Sequence, residues 1–440
     1  MTGGAHFRQA VFWVGLYAAL ALAPLALALA GYDRPARPFW VEFGVGLGFV
    51  GLSMMALQFV LTARFKGIAA PFGTDAMLQF HRQAGLVACA FVAGHVLVLI
   101  AARPGYVAFF DPRVNLMRAG ALVTVLLALA GIVGLTLLRK RLRFPYEWWR
   151  LTHGLLSLLV ILISLAHVQM VGRYVSTVPK RALWAAMCLG AMSLLLYPRL
   201  VKPFLARKRP YRVVDVKPET PRVWTITLEA EGHEGLRFTP GQFAWLTLGG
   251  SPFALKQHPF TFASSAEQRG RYSFTIKELG DFTSKISSVA PGTRAWLDGP
   301  HGAFTPGTGA SALVLIAGGI GVTPMMSILR SMKDRGDTRP ATLIYGAGSE
   351  AMIAFRAELE ALAQAATFKF VPVVENPGEG WQGERGVIDD ALLTRHLPPD
   401  DGKVEYMICG PDAMMDAVEL LLIKRGVPMR RRHSERFNIA

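Results

Sequence analysis

Two apolar stretches of this chain each carry a histidine near either end, at the same spacing. His81 and His95 bracket "HRQAGLVACAFVAGH", and His153 and His167 bracket "HGLLSLLVILISLAH", fourteen residues apart in both cases. That interval is close to four helical turns, so each pair falls on one helix face with about 21 Å between its rings along the axis. Placing a polar ring in hydrocarbon is costly, which makes such histidines candidates for function. A neutral imidazole is a strong ligand for haem iron, and two imidazoles filling both axial positions favour electron transfer over ligand binding. Were the two helices parallel, His81 would meet His153 near one surface and His95 would meet His167 near the other. The four would then hold two b-type haems stacked across a membrane. Packing histidines bonded to neighbours are the plain alternative, and for one isolated ring they would be preferred; two equal spacings are harder to explain that way. A proton-conducting chain is disfavoured, because rings about four turns apart cannot exchange a proton directly.

The elements that must position these rings are legible as apolar runs long enough to cross a bilayer of about 30 Å. They lie near 11 to 30, 40 to 62, 80 to 101, 117 to 138, 151 to 171 and 182 to 200. The first is long for a signal peptide and lacks a persuasive cleavage site, so it reads as a span. The helices bearing the histidines are the third and fifth and therefore run in parallel. Basic residues follow the second span (Arg64, Lys66), the fourth (Arg139 to Arg143) and the sixth (Arg199 to Arg209), which puts that side in the cytoplasm. Arg34, Arg37, Arg103, Arg113, Arg118, Arg173, Lys180 and Arg181 fall on the other side and weaken the asymmetry. Trp148 and Trp149 suit an interfacial belt ahead of the fifth span. The net charge of +16 is spent largely on these flanks, a placement that speaks against nucleic acid as a partner. Three cysteines, two of them (Cys89, Cys188) inside apolar runs, imply no disulfide framework. His6, His233, His396 and His433 follow no pattern and read as solvated surface residues.

From about residue 206 the composition becomes that of a soluble protein. Short alternating segments such as "YRVVDVKPETPRVWTITLEA" run to about residue 300 and predict an antiparallel β-barrel. From Ala310 the strands "SALVLIAG", "ATLIYGAG" and "VEYMICG" alternate with helical patterns, which predicts a doubly wound α/β domain. In "IAGGIGVTPMMSIL", Gly318, Gly319 and Gly321 follow a strand and would let the turn approach a dinucleotide pyrophosphate, while Thr323 and Pro324 open the next helix. By itself such a turn is weak evidence.

"HPFTFASS" (His258 to Ser265) resembles the flavin-binding strand of the ferredoxin reductase superfamily, in the variant found in ferric reductases and NADPH oxidases. The resemblance implies FAD, with His258 and Pro259 near its ribityl or pyrophosphate part, Phe260 against the isoalloxazine, Thr261 bonded to the polar edge of the ring, and Ser264 close by. "KELGDFTSKI" resembles the second flavin segment: Lys277 opens it, Gly280 permits close backbone approach, and Thr283 meets the pyrophosphate at a helix N-terminus. "DGPHGAF" closes the barrel as in that family. Cys409, Gly410 and Pro411 match the segment beside the nicotinamide, and Phe437 in "SERFN" matches the tail aromatic that covers the flavin until nicotinamide displaces it. Read without the family, these residues are also ordinary turn glycines, caps, a strand-ending cysteine and a packing phenylalanine. Thr261, Cys409 and Phe437 are the ones the resemblance places at the reacting atoms. One departure is Leu99, where NADPH oxidases carry a further histidine one turn after the outer ligand; a dedicated oxygen pocket is therefore in doubt.

The expected architecture is a six-helix all-α membrane bundle (1–205) followed by a ferredoxin-reductase-like module, an antiparallel β-barrel FAD domain (206–305) and a doubly wound α/β NAD(P) domain (306–440). The resemblance implies a transmembrane reductase of the bacterial inner membrane, with termini and soluble domains cytoplasmic. It would pass electrons from NAD(P)H through FAD and two haems to an outer-face acceptor: a ferric chelate, oxygen or a protein. A haem-based redox sensor and a six-helix transporter with a regulatory nucleotide-binding domain are the alternatives. Arg82, beside an inner histidine, could pair with a haem propionate or snorkel. Arg103, Arg113 and Arg173 could attract an anionic acceptor or simply belong to basic loops. NADH and NADPH are not distinguished: Ser349 could meet a 2′-phosphate, Glu350 would repel it, and Arg356 could contribute or face solvent.

Overall fold

The structure is a computed structural model that describes residues 3–30, 35–63 and 73–437. Arg34, Arg64 and Lys66, which entered the charge pattern above, lie outside the described residues, as does the His6 side chain. The chain divides into two compact units, one built mainly from 8–68 and 76–201 and the other mainly from 202–440.

The first unit is helical. Its helices are α1 (Gly3–Leu29), α2 (Phe39–Thr62), α3 (Gly73–Ala102), α4 (Leu116–Leu138), α5 (Tyr146–Val171) and α6 (Val178–Leu196). Six helices of the described chain are long and apolar enough to cross a membrane. Two begin earlier than their apolar runs because proline sets their starts. Pro145 precedes the first residue of α5, and Pro179 sits in the opening turn of α6, where a missing N–H costs nothing. Helix α5 stops at Gly172, whose left-handed φ of 61° suits only a residue without a Cβ. Beyond α6 the helix does not end near 200; it widens into a π stretch, Tyr197–Val201, containing Pro198, and resumes as α7 (Lys202–Ala206). Trp148 and Trp149 lie in the opening turn of α5; Trp148 is exposed, and Trp149 donates to Thr136 Oγ1 at 3.3 Å and packs on His153 at 5.4 Å between ring centres.

Helix α2 meets α3 along a stripe of small residues. A Cβ on Gly44 would lie 3.2 Å from Leu99, on Gly48 2.7 Å from His95 Nδ1, and on Gly51 2.9 Å from Val92. Glycines at intervals of four and three occupy one helix face and let two backbones approach closely in lipid.

The second unit has two layers of sheet. Strands β1 (Tyr211–Thr220), β2 (Val223–Ala230), β3 (Phe243–Leu248), β4 (His258–Thr261), β5 (Arg271–Lys277) and β6 (Arg294–His301) form an antiparallel sheet in the order β4-β3-β6-β1-β2-β5. A bridge between Phe262 and Phe274 joins the two ends and closes the barrel around Tyr211, Ile226, Leu228, Leu246, Phe262 and Phe274. Next come β7 (Leu313–Gly318), α8 (Val322–Arg335), β8 (Ala341–Ala347), α9 (Arg356–Leu362), β9 (Phe368–Val374), β10 (Glu384–Arg385), α10 (Asp390–His396), β11 (Glu405–Cys409), α11 (Asp412–Lys424) and β12 (Arg432–Glu435). These strands are all parallel, in the order β10-β9-β8-β7-β11-β12, with separate hydrophobic clusters on the two faces. The chain reverses its direction of travel between β7 and β11, and the carboxyl ends of that strand pair are where open α/β sheets take ligands.

Candidate functional site

In the helical unit the four histidines come together as two pairs. The rings of His81 and His153 are 6.3 Å apart between centres, and those of His95 and His167 are 6.5 Å apart. A metal held between two imidazoles needs about 2 Å to each nitrogen and roughly 1.1 Å more to each ring centre, or about 6.2 Å in all. Both pairs have about the spacing that a metal ion between two imidazoles would need. The surroundings also select a tautomer at one of them. His95 Nδ1 lies 2.8 Å from Gly44 O, and a carbonyl only accepts, so Nδ1 carries the proton and Nε2 keeps its lone pair. His81 Nδ1 and His153 Nδ1 are buried with no hydrogen-bond partner among the described residues. No group of three or more His, Cys, Asp or Glu suited to a metal ion occurs among the described residues.

Of the arginines considered for an acceptor, two are engaged within the chain. Arg113 bonds both carboxylate oxygens of Asp111 at 3.0 Å, and Arg173 donates to Pro35 O at 3.0 Å. Leu99 packs against Gly44. Arg82, beside His81, is exposed.

In the soluble unit the carboxyl end of β4 carries the flavin candidates. Thr261 is buried, and its neighbour two residues before, Pro259, pairs with Trp245. His258 and Phe260 share a ring stack with Phe282, at 4.2 and 6.1 Å between centres. Ser264 Oγ is buried with no hydrogen-bond partner among the described residues, a group that a ligand could satisfy. Lys277 is exposed at the end of β5, and a Cβ on Gly280 would meet nothing within 4 Å, so the space beside that loop is open. Thr283 differs from expectation. Its hydroxyl accepts from Leu279 N and Gly280 N at 2.8 and 2.9 Å, tying down the loop before a six-residue 3-10 helix of which it is the first residue, where an α-helix was expected.

At the switch between β7 and β11 the glycines serve the protein as well as any ligand. A Cβ on Gly321 would fall 2.1 Å from Cys409 O, and one on Gly410 3.0 Å from Gly318 N; the two loops touch backbone to backbone. Gly318 is closed in by Met414 and Pro411, whereas Gly319, at φ 52°, has open space where a Cβ would point. Thr323 and Pro324 are buried, and the Thr323 hydroxyl donates to Ile320 O at 2.8 Å, so both shape the turn from inside. Cys409 is buried at the end of β11 in register with Glu435 of β12. Phe437 follows two residues later, 44% exposed, at the same carboxyl edge as Cys409.

Three arrangements escaped the sequence reading. The first is the Gly44, Gly48, Gly51 stripe, visible as a small-residue period. The second is Phe282, embedded in the quoted flavin segment. The third is a face of α8: Ser327 donates to Ser264 O at 2.9 Å, Arg330 to Ala263 O at 2.7 Å, and Ser331 accepts from Ala266 N at 2.9 Å. The helix that opens at the glycine turn therefore grips the continuation of the flavin strand. His233, His396 and His433 are not merely solvated either. His233 donates to Pro210 O and accepts from Gly235 N, His396 bonds Glu384 at 2.6 Å, and His433 pairs with Glu405.

A helical unit with paired intramembrane imidazoles, followed by a closed barrel and a doubly wound sheet with a glycine turn, defines a membrane flavin- and dinucleotide-type oxidoreductase. Residues 47–164 match the ferric reductase like transmembrane component, 213–303 an FAD-binding domain, and 315–420 the oxidoreductase NAD-binding domain. The chain belongs to the ferric reductase and NADPH oxidase superfamily. Its soluble half is 31% identical over 237 residues to ferredoxin--NADP reductase B of Sorangium cellulosum, covering 52% of this chain and 96% of that protein. It is 30% identical over 227 residues to the reductase component of propane 2-monooxygenase from Rhodococcus jostii, covering 49% of this chain and only 60% of that protein. Among solved structures, a ferredoxin NADP+ reductase from Neisseria gonorrhoeae covers 52% of this chain and 98% of its own at 22% identity, with a TM-score of 0.45.

Proposed function

We propose that this chain is a multi-pass reductase that takes electrons from cytosolic NAD(P)H and delivers them, by way of FAD and two b-type haems, to an acceptor at the outer face. The acceptor is a ferric chelate, oxygen or a protein. The observation that carries the reading is the spacing of the facing imidazoles, 6.3 and 6.5 Å, in a chain whose other half has FAD- and NAD-binding domains. Flavin, when bound, supplies the change from a two-electron hydride donor to one-electron carriers, and haem with two axial imidazoles supplies such carriers.

The chain's own residues have distinct tasks. His81 with His153, and His95 with His167, would hold the two haems by their imidazoles; the Gly44 carbonyl fixes the His95 tautomer. Thr261 and the buried Ser264 hydroxyl serve the polar edge of the flavin, with His258, Pro259 and Phe260 along its length. Lys277, Gly280 and Thr283 border its phosphates, Thr283 by holding the turn. Gly318, Gly319 and Gly321 admit the pyrophosphate of the nicotinamide nucleotide, on a turn that Thr323 and Pro324 set. Cys409, Gly410 and Pro411 flank the nicotinamide, and Phe437 covers the flavin in its absence. Domain limits near 205 and 305 follow from the same assignment. Basic residues after the fourth and sixth spans support a cytoplasmic second half and, with it, the setting of a bacterial inner membrane. An inside-negative potential then favours outward electron movement by about 2.3 kcal/mol per 100 mV. Leu99 against Gly44 speaks for an acceptor other than oxygen in a dedicated pocket.

Anaerobic addition of NADH or NADPH to the purified protein in detergent tests the reading. Reduction of b-type absorbance is expected, and admitting ferric citrate, oxygen or a dye in turn identifies the acceptor. Dye reduction with no change in haem absorbance would overturn it.

A further inference from the structure

We infer that the dinucleotide site selects NADH against NADPH, with Glu350 as the residue that discriminates at the adenosine ribose; this rests on the reading that the chain oxidises NAD(P)H. In a doubly wound sheet, the residues following the second strand stand beside the ribose 2′ position, and an acid there bonds the diol of NADH while a free arginine accommodates a 2′-phosphate. Here β8 is the strand next to β7, and Gly348, Ser349 and Glu350 follow it directly.

A cation close to this point, Arg356, is already engaged. Arg356 Nε donates to Glu360 Oε1 at 2.8 Å, its NH1 lies 3.6 Å from Glu350 Oε2, and the guanidinium lies over the Trp381 ring, 5.4 Å from its centre. The hydrogen bond that Arg356 donates to Glu360 comes first among the influences that raise the Arg356 pKa, so the guanidinium is committed to carboxylates. The neighbouring loop adds no positive charge. Glu375 N donates to Ala347 O at 3.0 Å and Asn376 N to Gly348 O at 3.1 Å, which brings the segment containing Glu375 and Glu379 to the same edge. Even Gly378 sits close enough that a Cβ would lie 3.4 Å from Glu350 Oε1. A 2′-phosphate would bring a charge of about −1.5 to −2 among these acids. Ser349 offers it one neutral hydroxyl. The diol of NADH, by contrast, is a pair of donors matched to a carboxylate acceptor.

The test compares the two dinucleotides on the full chain in detergent, both by kcat/KM with a dye acceptor and by calorimetric binding of ADP-ribose against its 2′-phosphorylated form. Wild type should favour the unphosphorylated ligand by about tenfold or more in both measurements, and Glu350→Gln should cut the ratio by about tenfold, through KM and Kd for the phosphorylated ligand rather than through kcat. Arg356→Ala should leave the ratio unchanged. Wild-type preference for the 2′-phosphate, a ratio untouched by Glu350→Gln, or a selective loss of the phosphorylated ligand in Arg356→Ala would each overturn the inference. If neither dinucleotide is oxidised, the proposed function fails, and the binding comparison still decides this point.

Discussion

His95 Nδ1 donates to the carbonyl oxygen of Gly44 across 2.8 Å, and the next turn of the same helix presents Gly48, where a Cβ would come within 2.7 Å of that nitrogen. Helix α2 thus orients the outer imidazole with its backbone and can do so only while it stays bare at two positions. Such an outer-shell bond fixes which nitrogen is available to a metal. Gly48→Ala should therefore displace His95 and reduce haem occupancy at the outer position, with the inner position retained. Difference spectra and bound-haem assay check this; full occupancy with unchanged spectra would count against the assignment.

The glycine turn makes a contrasting pair of predictions. Gly321→Ala puts a methyl 2.1 Å from a backbone oxygen that cannot rotate away, so it should destabilise the soluble unit by roughly 3 kcal/mol or more and abolish dinucleotide binding. Gly319→Ala meets no atom but must hold a φ of 52°, which costs about 1–2 kcal/mol. Chemical denaturation of the two variants, side by side, separates clash from strain.

These cases show what could be read from the chain and what could not. The histidine interval, the six apolar runs and the strands of both sheets are periodic signals that a linear sequence carries directly. So is the barrel-then-doubly-wound order. The reason Gly321 must be glycine was hidden, because Cys409 lies far along the chain and only strand pairing brings it near. The grip of α8 was hidden for the same reason: Ser327, Arg330 and Ser331 look like an unremarkable polar face until residues 263–266 arrive beside it. Thr283 opens a 3-10 helix instead of an α-helix, and its hydroxyl turns back to the N–H groups of Leu279 and Gly280, a loop bond that no periodicity announces.

Arg330 joins the two domains of the soluble unit, donating to Ala263 O at 2.7 Å while its other nitrogens bond Glu358 at 2.7 and 2.5 Å. Arg330→Met removes charge-assisted bonds of about 1.5–3 kcal/mol and frees the strand that follows Thr261. The expected result is a kcat for dye reduction lowered several-fold with little change in the KM for dinucleotide. An unchanged kcat would make the contact purely structural.

Acid should weaken the soluble unit in a definite window. Hydrogen bonds from Arg339 hold the Asp337 carboxyl below its ordinary value of 3.8, and Arg431 does the same for Asp400. A carboxyl whose pKa is depressed by folding contributes stability above its unfolded value and loses it as pH falls through the folded one. Stability should be nearly flat from pH 7 to about 5 and drop below about 4. Asp337→Asn should cost roughly 1 kcal/mol at pH 7, as the pair is partly exposed, and make the acid limb shallower. Denaturant melts across pH, followed by near-UV circular dichroism, would reveal it; an acid limb identical to wild type would not fit.

The central claim concerns the two pairs of imidazoles, and haem stoichiometry tests it most directly. Full-length protein purified in detergent and assayed for haem should hold two low-spin b-type groups per chain, with His95→Ala retaining one and His81→Ala retaining the other, spectrally distinct, group. A preparation that binds no haem, or a single haem indifferent to both substitutions, would contradict the account.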